Sequence, residues 1–112
     1  MGPLHGFKIV EIAGIGPGQL CGMLLADMGA QVIRIDRPVD GDLGLALPAK
    51  YDIMNRSRPT LAVDLKSKEG VELVLRLCND ADALFEGYRP GVMERLGLGP
   101  SDCVARNERL VY

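Results

Sequence analysis

The sequence is poor in the residues that usually mark a reaction centre. It holds one histidine, His5, with no partner at metal-ligand or triad spacing, and His5 reads as a surface residue. Its three cysteines, Cys21, Cys78 and Cys103, are odd in number and far apart. No Cys-x-x-Cys occurs, so neither a disulfide framework nor a zinc site is indicated. Cys21 and Cys78 fall among apolar helical positions and are expected to be buried thiols. No charge of one sign dominates. The net charge of −2 argues against nucleic acid or an anionic membrane as partner. No apolar run reaches the roughly 18 residues of a membrane span, and the mixed, Gly/Pro-containing N-terminus lacks a signal-peptide pattern. A cytoplasmic chain is expected. Also missing are G-x-x-x-x-G-K-[ST], G-x-S-x-G, a serine–histidine pair with a partner acid, and carboxylates paired as general acid and base.

What is present is an apolar content of 47% in 112 residues, enough for the core of one domain. Phe7–Ile12 is a short run with β-branched residues and predicts a strand. The glycine-rich loop Ala13-Gly14-Ile15-Gly16-Pro17-Gly18 follows. Leu20, Met23, Leu24 and Met28 then recur at helical spacing over Gln19–Met28. Pro17 suits the start of that helix and Gly29 its end. Gln31–Ile35 predicts a second strand, which completes a βαβ unit with parallel strands. Asp40-Gly41-Asp42 and Pro48 break any period, so residues 39–59 read as a loop with one helical turn around Tyr51–Met54. Thr60–Leu65 predicts a third strand. A helix follows, with Ser67 as N-cap and Val71, Val74, Leu75 and Cys78 on one face. Ala83–Phe85 is a fourth strand. Val92–Leu96 is a short helix stopped at Gly97, Ser101 caps another to Arg106, and a fifth strand begins at Leu110. The chain breaks off as that strand starts, so it reads as the front of a longer protein.

The alternation predicts an α/β sheet with helices on both faces. In such sheets ligands bind beyond the carboxyl ends of the strands. Three basic residues fall there: Arg37 after strand two, Lys66 after strand three and Arg89 after strand four. Arg89 sits in Glu86-Gly87-Tyr88-Arg89-Pro90-Gly91, a turn stiffened by Pro90. Three cations on one rim suit a ligand with several phosphates.

The Gly14-Ile15-Gly16 loop invites a dinucleotide reading, with Asp36 as the ribose-binding acid. That match fails where a third glycine belongs, because the residue is Gln19. Pro17 also removes an amide that such a loop would aim at phosphate.

Four stretches point elsewhere. They are Glu11–Gly18; Leu25–Ala30 running into Arg34-Ile35-Asp36-Arg37-Pro38; Leu61-Ala62-Val63-Asp64-Leu65-Lys66; and Glu86–Pro100. In order and spacing the chain resembles the N-terminal part of the family III CoA-transferase and α-methylacyl-CoA racemase superfamily. The Ala-Gly-Ile-Gly-Pro-Gly loop and Ile-Asp-Arg-Pro look more like the racemases. The resemblance implies a Rossmann-like, mostly parallel sheet, with residues 1–112 as the N-terminal CoA-binding segment of a larger fold. It implies an acyl-CoA thioester as substrate and no separate cofactor or metal. Ile15 would lie in the adenine region and Arg37 near the nucleotide phosphates. Val63 and Leu65 would line the adenine pocket, with Lys66 and Arg89 as further phosphate contacts. It also implies an interlocked homodimer when full length, and catalytic residues placed after Tyr112, so none is assigned within this chain.

Overall fold

A computed structural model describes residues 1–38 and 48–112. The expected break at Asp40-Gly41-Asp42 lies outside the described residues. Four strands form one parallel sheet: β1 (Lys8–Ile12), β2 (Gln31–Asp36), β3 (Thr60–Ala62) and β4 (Ala83–Phe85), in the order β3-β2-β1-β4. The central strands are covered on both faces, which explains their near-continuous apolar sequence.

Alternation along β1 and β2 divides the core in two. Val10, Ile12 and Ile35 join the larger cluster, with Val74 and Cys78 of helix α2 (Lys68–Cys78) and Leu84 of β4. Met93, Leu98 and Cys103 extend that cluster from α3 (Val92–Leu96) and α4 (Pro100–Arg106). Ile9 and Val32 face the other way and pack with Leu25 and Ala26 of α1 (Pro17–Asp27). Helices therefore lie on both faces of the sheet, as the alternation predicts.

The local signals place the elements closely. Pro17 opens α1, and Gly29, at φ 101°, follows its end. The Ser67 hydroxyl accepts the Gly70 N–H at 3.0 Å and caps α2. A bridge between Ala83 and Val111 stands where the fifth strand is expected. Two single helical turns, Ala49–Tyr51 and Ile53–Asn55, occupy the predicted irregular stretch.

Three expectations need correction. The third strand stops at Ala62 rather than Leu65. The Val63 N–H still donates to the Asp36 carbonyl at 2.8 Å, but the Asp64 carboxylate then accepts the Lys66 N–H at 2.9 Å. A side chain that takes a backbone donor in this way competes with the ladder and turns the chain. Helix α4 starts at Pro100, one residue before Ser101, because the Asp102 carboxylate accepts the Gly99 N–H at 3.1 Å. Cys21 is exposed, whereas Cys78 and Cys103 are buried. Helix α1 is apolar around its circumference, and it turns Gly22, Leu25 and Ala26 to the sheet while Cys21, Leu20 and Leu24 face outward.

Candidate functional site

Strand order locates the site before any side chain is considered. The chain winds outward from β1 through β2 to β3, then returns to the other side of β1 as β4. The switch in direction opens a crevice beyond the carboxyl ends of β1 and β4, where open α/β sheets bind ligands. One wall is the Gly14–Gly18 loop, which leads from β1 to α1. The other is the Glu86–Gly91 turn, which leads from β4 to α3.

Each wall is fixed by local chemistry. Gly16 has φ 79°, a left-handed conformation that lets the loop reverse into α1 at Pro17. The Ala13 N–H donates to the Ile35 carbonyl at 2.8 Å and ties the loop to β2. Ile15, at the tip, is 64% exposed. In the opposite turn, the Glu86 carboxylate accepts the Tyr88 N–H at 2.7 Å. Gly91, at φ 88°, starts α3, and the Val92 N–H donates to the Arg89 carbonyl at 3.1 Å. Arg89 thus sits exposed on a closed turn.

Arg37 follows β2 directly, and its N–H donates to the Asp36 carboxylate at 2.7 Å. The same carboxylate pairs with Arg34 at 2.8 Å. Lys66 lies four residues beyond β3. Arg37, Lys66 and Arg89 are all exposed, and among the described residues no carboxylate pairs with them. They share the rim, but they are strung along it. β3 and β4 are opposite edges of the sheet, three strand spacings or roughly 14 Å apart. The cations therefore suit an extended ligand better than a compact one.

Helix α3 shortens that span. Its Arg95 and Leu96 wall an open groove of about 450 Å³ with Leu65, Lys66, Lys68 and Val71. Glu72 also borders it. The volume lies within the range of small-molecule sites. Lys68 and Arg95 add two cations that the strand-end reasoning did not find, because they sit on the first turn of α2 and on α3 rather than directly after a strand. The pattern Met93-Glu94-Arg95-Leu96 was a usable signal: with Met93 buried, Arg95 must lie off the buried face.

Val63, expected along the adenine pocket, turns its side chain into the core. It is 6% exposed and belongs to the core cluster with Ile12 and Ile35. Since its N–H is already bonded to Asp36, its carbonyl is what it can offer a ligand. Leu65 is half-buried and borders both core and groove.

A buried ion pair lies beneath the crevice. Glu11 of β1 is fully buried under α1, and Arg58 Nε stands 2.8 Å from its Oε2. Arg58 also donates to the Gln19 carbonyl at 3.3 Å and to Asn55 Oδ1 at 2.8 Å. Burial raises the Glu11 carboxyl above its ordinary range, while the Arg58 and Arg34 guanidinium groups pull it back. A carboxylate flanked by the apolar Val10 and Ile12 in β1 was the available sequence signal; its register with Arg34 on β2 comes from the structure.

A second groove of about 590 Å³ lies at the opposite ends of the strands, lined by Lys8, Gln31, Ser57, Arg76 and the apolar Ile33 and Leu77 among others.

The sequence profile of CoA-transferase family III matches residues 4–112, and the chain belongs to that family. It is 41% identical over 111 residues to the human α-methylacyl-CoA racemase, covering 97% of this chain and 27% of that protein. It is 34% identical over 119 residues to the succinyl-CoA–D-citramalate CoA-transferase of Chloroflexus aurantiacus, covering 97% of this chain and 29% of that protein. The crystal structure of Rv3272 from M. tuberculosis superimposes with a TM-score of 0.89 at 36% identity, covering all of this chain and 32% of that one. The chain thus spans about a quarter to a third of the length of the relatives it matches.

Proposed function

We propose that this chain supplies the CoA-binding part of an α-methylacyl-CoA racemase. The observation that bears most weight is the rim itself. The Ile15 loop, Arg37, Lys66 and Arg89 all follow the carboxyl ends of parallel strands, along one rim that includes the switch point between β1 and β4. CoA is long and carries a pyrophosphate and a 3′-phosphate, which fits cations spread along a rim rather than clustered. In this reading Ile15 packs against the adenine region and Arg37 meets nucleotide phosphate. Lys66 and Arg89 hold further phosphate oxygens, with Lys68 and Arg95 alongside Lys66. Leu65 and the backbone of Val63 border the adenine.

The chemistry is an epimerisation. A thioester acidifies its α-carbon, a base removes the α-proton, and an acid returns a proton to either face of the enolate. The residues of this chain hold the CoA handle; the acid and base belong to the part of the relatives' length that the chain does not cover. The racemase assignment is supported by relatives of that name at 41% and 43% identity. Residues 1–112 alone are expected to leave the α-proton of 2-methylacyl-CoA unexchanged in D₂O, whereas the full protein exchanges it. Exchange at enzymatic rates by residues 1–112 would contradict this division of labour. The proposal includes a homodimer for the full protein, checked by sedimentation equilibrium.

A CoA-transferase is the second reading, supported by transferases at 34% and 32% identity over nearly the same residues. Movement of labelled CoA from one thioester to a second free acid would decide for it, and α-proton exchange without such movement would decide for the racemase.

A further inference from the structure

The Glu11–Arg58 pair takes no part in the scheme above, yet it is the only buried pair of charges among the described residues. Both side chains are fully enclosed. Isolated charges in such a place cost more than their attraction returns unless further bonds satisfy them. A carboxylate retained there invites the question of what it holds.

It connects to the Gly14–Gly18 wall of the crevice and, through the sheet, to Arg37. Arg58 reaches from Glu11 to the Gln19 carbonyl in the first turn of α1, directly after the Gly14–Gly18 loop. Its other nitrogen reaches Asn55 Oδ1, and Asn55 Nδ2 in turn donates to Asp52 at 2.7 Å. The second connection runs through the sheet. Arg34 is the in-register neighbour of Glu11 on β2 and pairs with Asp36, whose other oxygen accepts the Arg37 N–H. Gly22 is what admits the arrangement. A Cβ there would stand 2.8 Å from the Glu11 carboxyl carbon and 3.1 Å from the Arg58 guanidinium carbon.

We infer that Glu11 is a positioning residue for the candidate site, fixing the Gly14–Gly18 loop through Arg58 and the backbone of Arg37 through Arg34 and Asp36. This rests on the CoA reading for its ligand, though not for the connections themselves.

The test is Glu11→Gln in the full protein, which keeps the shape and removes the charge. Two quantities are measured: CoA affinity by titration calorimetry and amide hydrogen exchange. The expected result is at least a tenfold weaker Kd together with faster exchange confined to Ala13–Gln19 and Arg37. Amides of the Glu86–Gly91 turn keep their rates. Asn55→Ala provides the same reading if Glu11→Gln does not fold, with a Kd weakened about threefold and the same local exchange pattern. An unchanged Kd in the folded variant overturns the inference. So does an exchange increase spread evenly over all four strands, which is the signature of a purely structural role. If the wild-type protein does not bind CoA, the ligand assignment falls. The exchange pattern then decides alone: local acceleration supports Glu11 as the support of the loop, and unchanged or uniform exchange refutes it.

Discussion

Replacing Gly22 by alanine should damage the fold far more than its chemistry suggests. The position is helical, so alanine gains up to about 1 kcal/mol of intrinsic propensity. Against this stands the geometry of the pair beneath it. The new methyl would lie 2.8 Å from the Glu11 carboxyl carbon and 3.1 Å from Arg58 Cζ. Neither group can retreat into solvent, since both side chains are fully enclosed. Either the carboxylate swings off Arg58 or α1 lifts from the sheet. Breaking a buried pair costs ~3–5 kcal/mol, so the net loss is about 2–4 kcal/mol. For a domain of this size that lowers Tm by roughly 8–16 °C. Gly18→Ala is the matched control. It lies in the same helix with nothing within 4 Å of its Cβ position, and it should raise stability by ~0.5–1 kcal/mol. Thermal unfolding followed by circular dichroism compares the two. The reasoning is refuted if both substitutions shift Tm upward, or if Gly22→Ala stays within about 0.5 kcal/mol of wild type.

Other outcomes follow from single features. Arg37→Ala and Arg89→Ala should each weaken CoA binding in the full protein by about 0.5–1 kcal/mol, or two- to fivefold, because both side chains are exposed. The loss should shrink at high salt, where such contacts are screened; calorimetry at two ionic strengths checks this. Gly91→Ala should cost ~1–2 kcal/mol, because φ at 88° places it in the left-handed region, and denaturant unfolding measures it. Glu11 has a folded-state pKa above its ordinary value of 4.5. The folded chain therefore holds that proton more tightly than the unfolded chain. The contribution of Glu11 to stability is greatest below pH 4.5 and falls as pH rises through the raised value. In Glu11→Gln this slope should vanish, and a rise of the wild-type curve relative to the variant over that window would contradict it. Thiol labelling of the native chain should modify Cys21 alone, since Cys78 and Cys103 are buried. Mass spectrometry after brief iodoacetamide treatment reads the outcome.

Much of the fold was legible because each element carries its own punctuation. Pro17 and Gly29 bracket α1, Ser67 starts α2, and Gly91 and Gly97 bracket α3; these are backbone requirements that act within a few residues. Ala83–Phe85 reads directly because it is short, apolar and bounded. What failed depended on contacts between distant residues. The end of β3 was hidden because Asp64 reads as a strand residue until its carboxylate is seen to take the Lys66 N–H. Cys21 was misjudged because a helix apolar on every side does not announce which side faces the sheet. The candidate site was legible in outline for a topological reason: residues after parallel strands must share one rim. Its detail was not. Lys68 and Arg95 join Lys66 only because α3 runs toward α2, and Glu11 meets Arg58 only because a residue 47 positions further along the chain comes to lie beneath α1.

The central claim is that CoA lies on the rim at the carboxyl ends of the strands. The most direct measurement is a heteronuclear NMR titration of the chain with CoA, following backbone amides. The account predicts shifts at Ile15, Arg37, Lys66 and Arg89, with Lys68 and Arg95 moving alongside Lys66. Amides at Lys8, Gln31, Ser57 and Arg76, around the groove at the opposite end, should stay still. Shifts concentrated at that opposite groove, or saturation by NAD at the same rim with none by CoA, would contradict it.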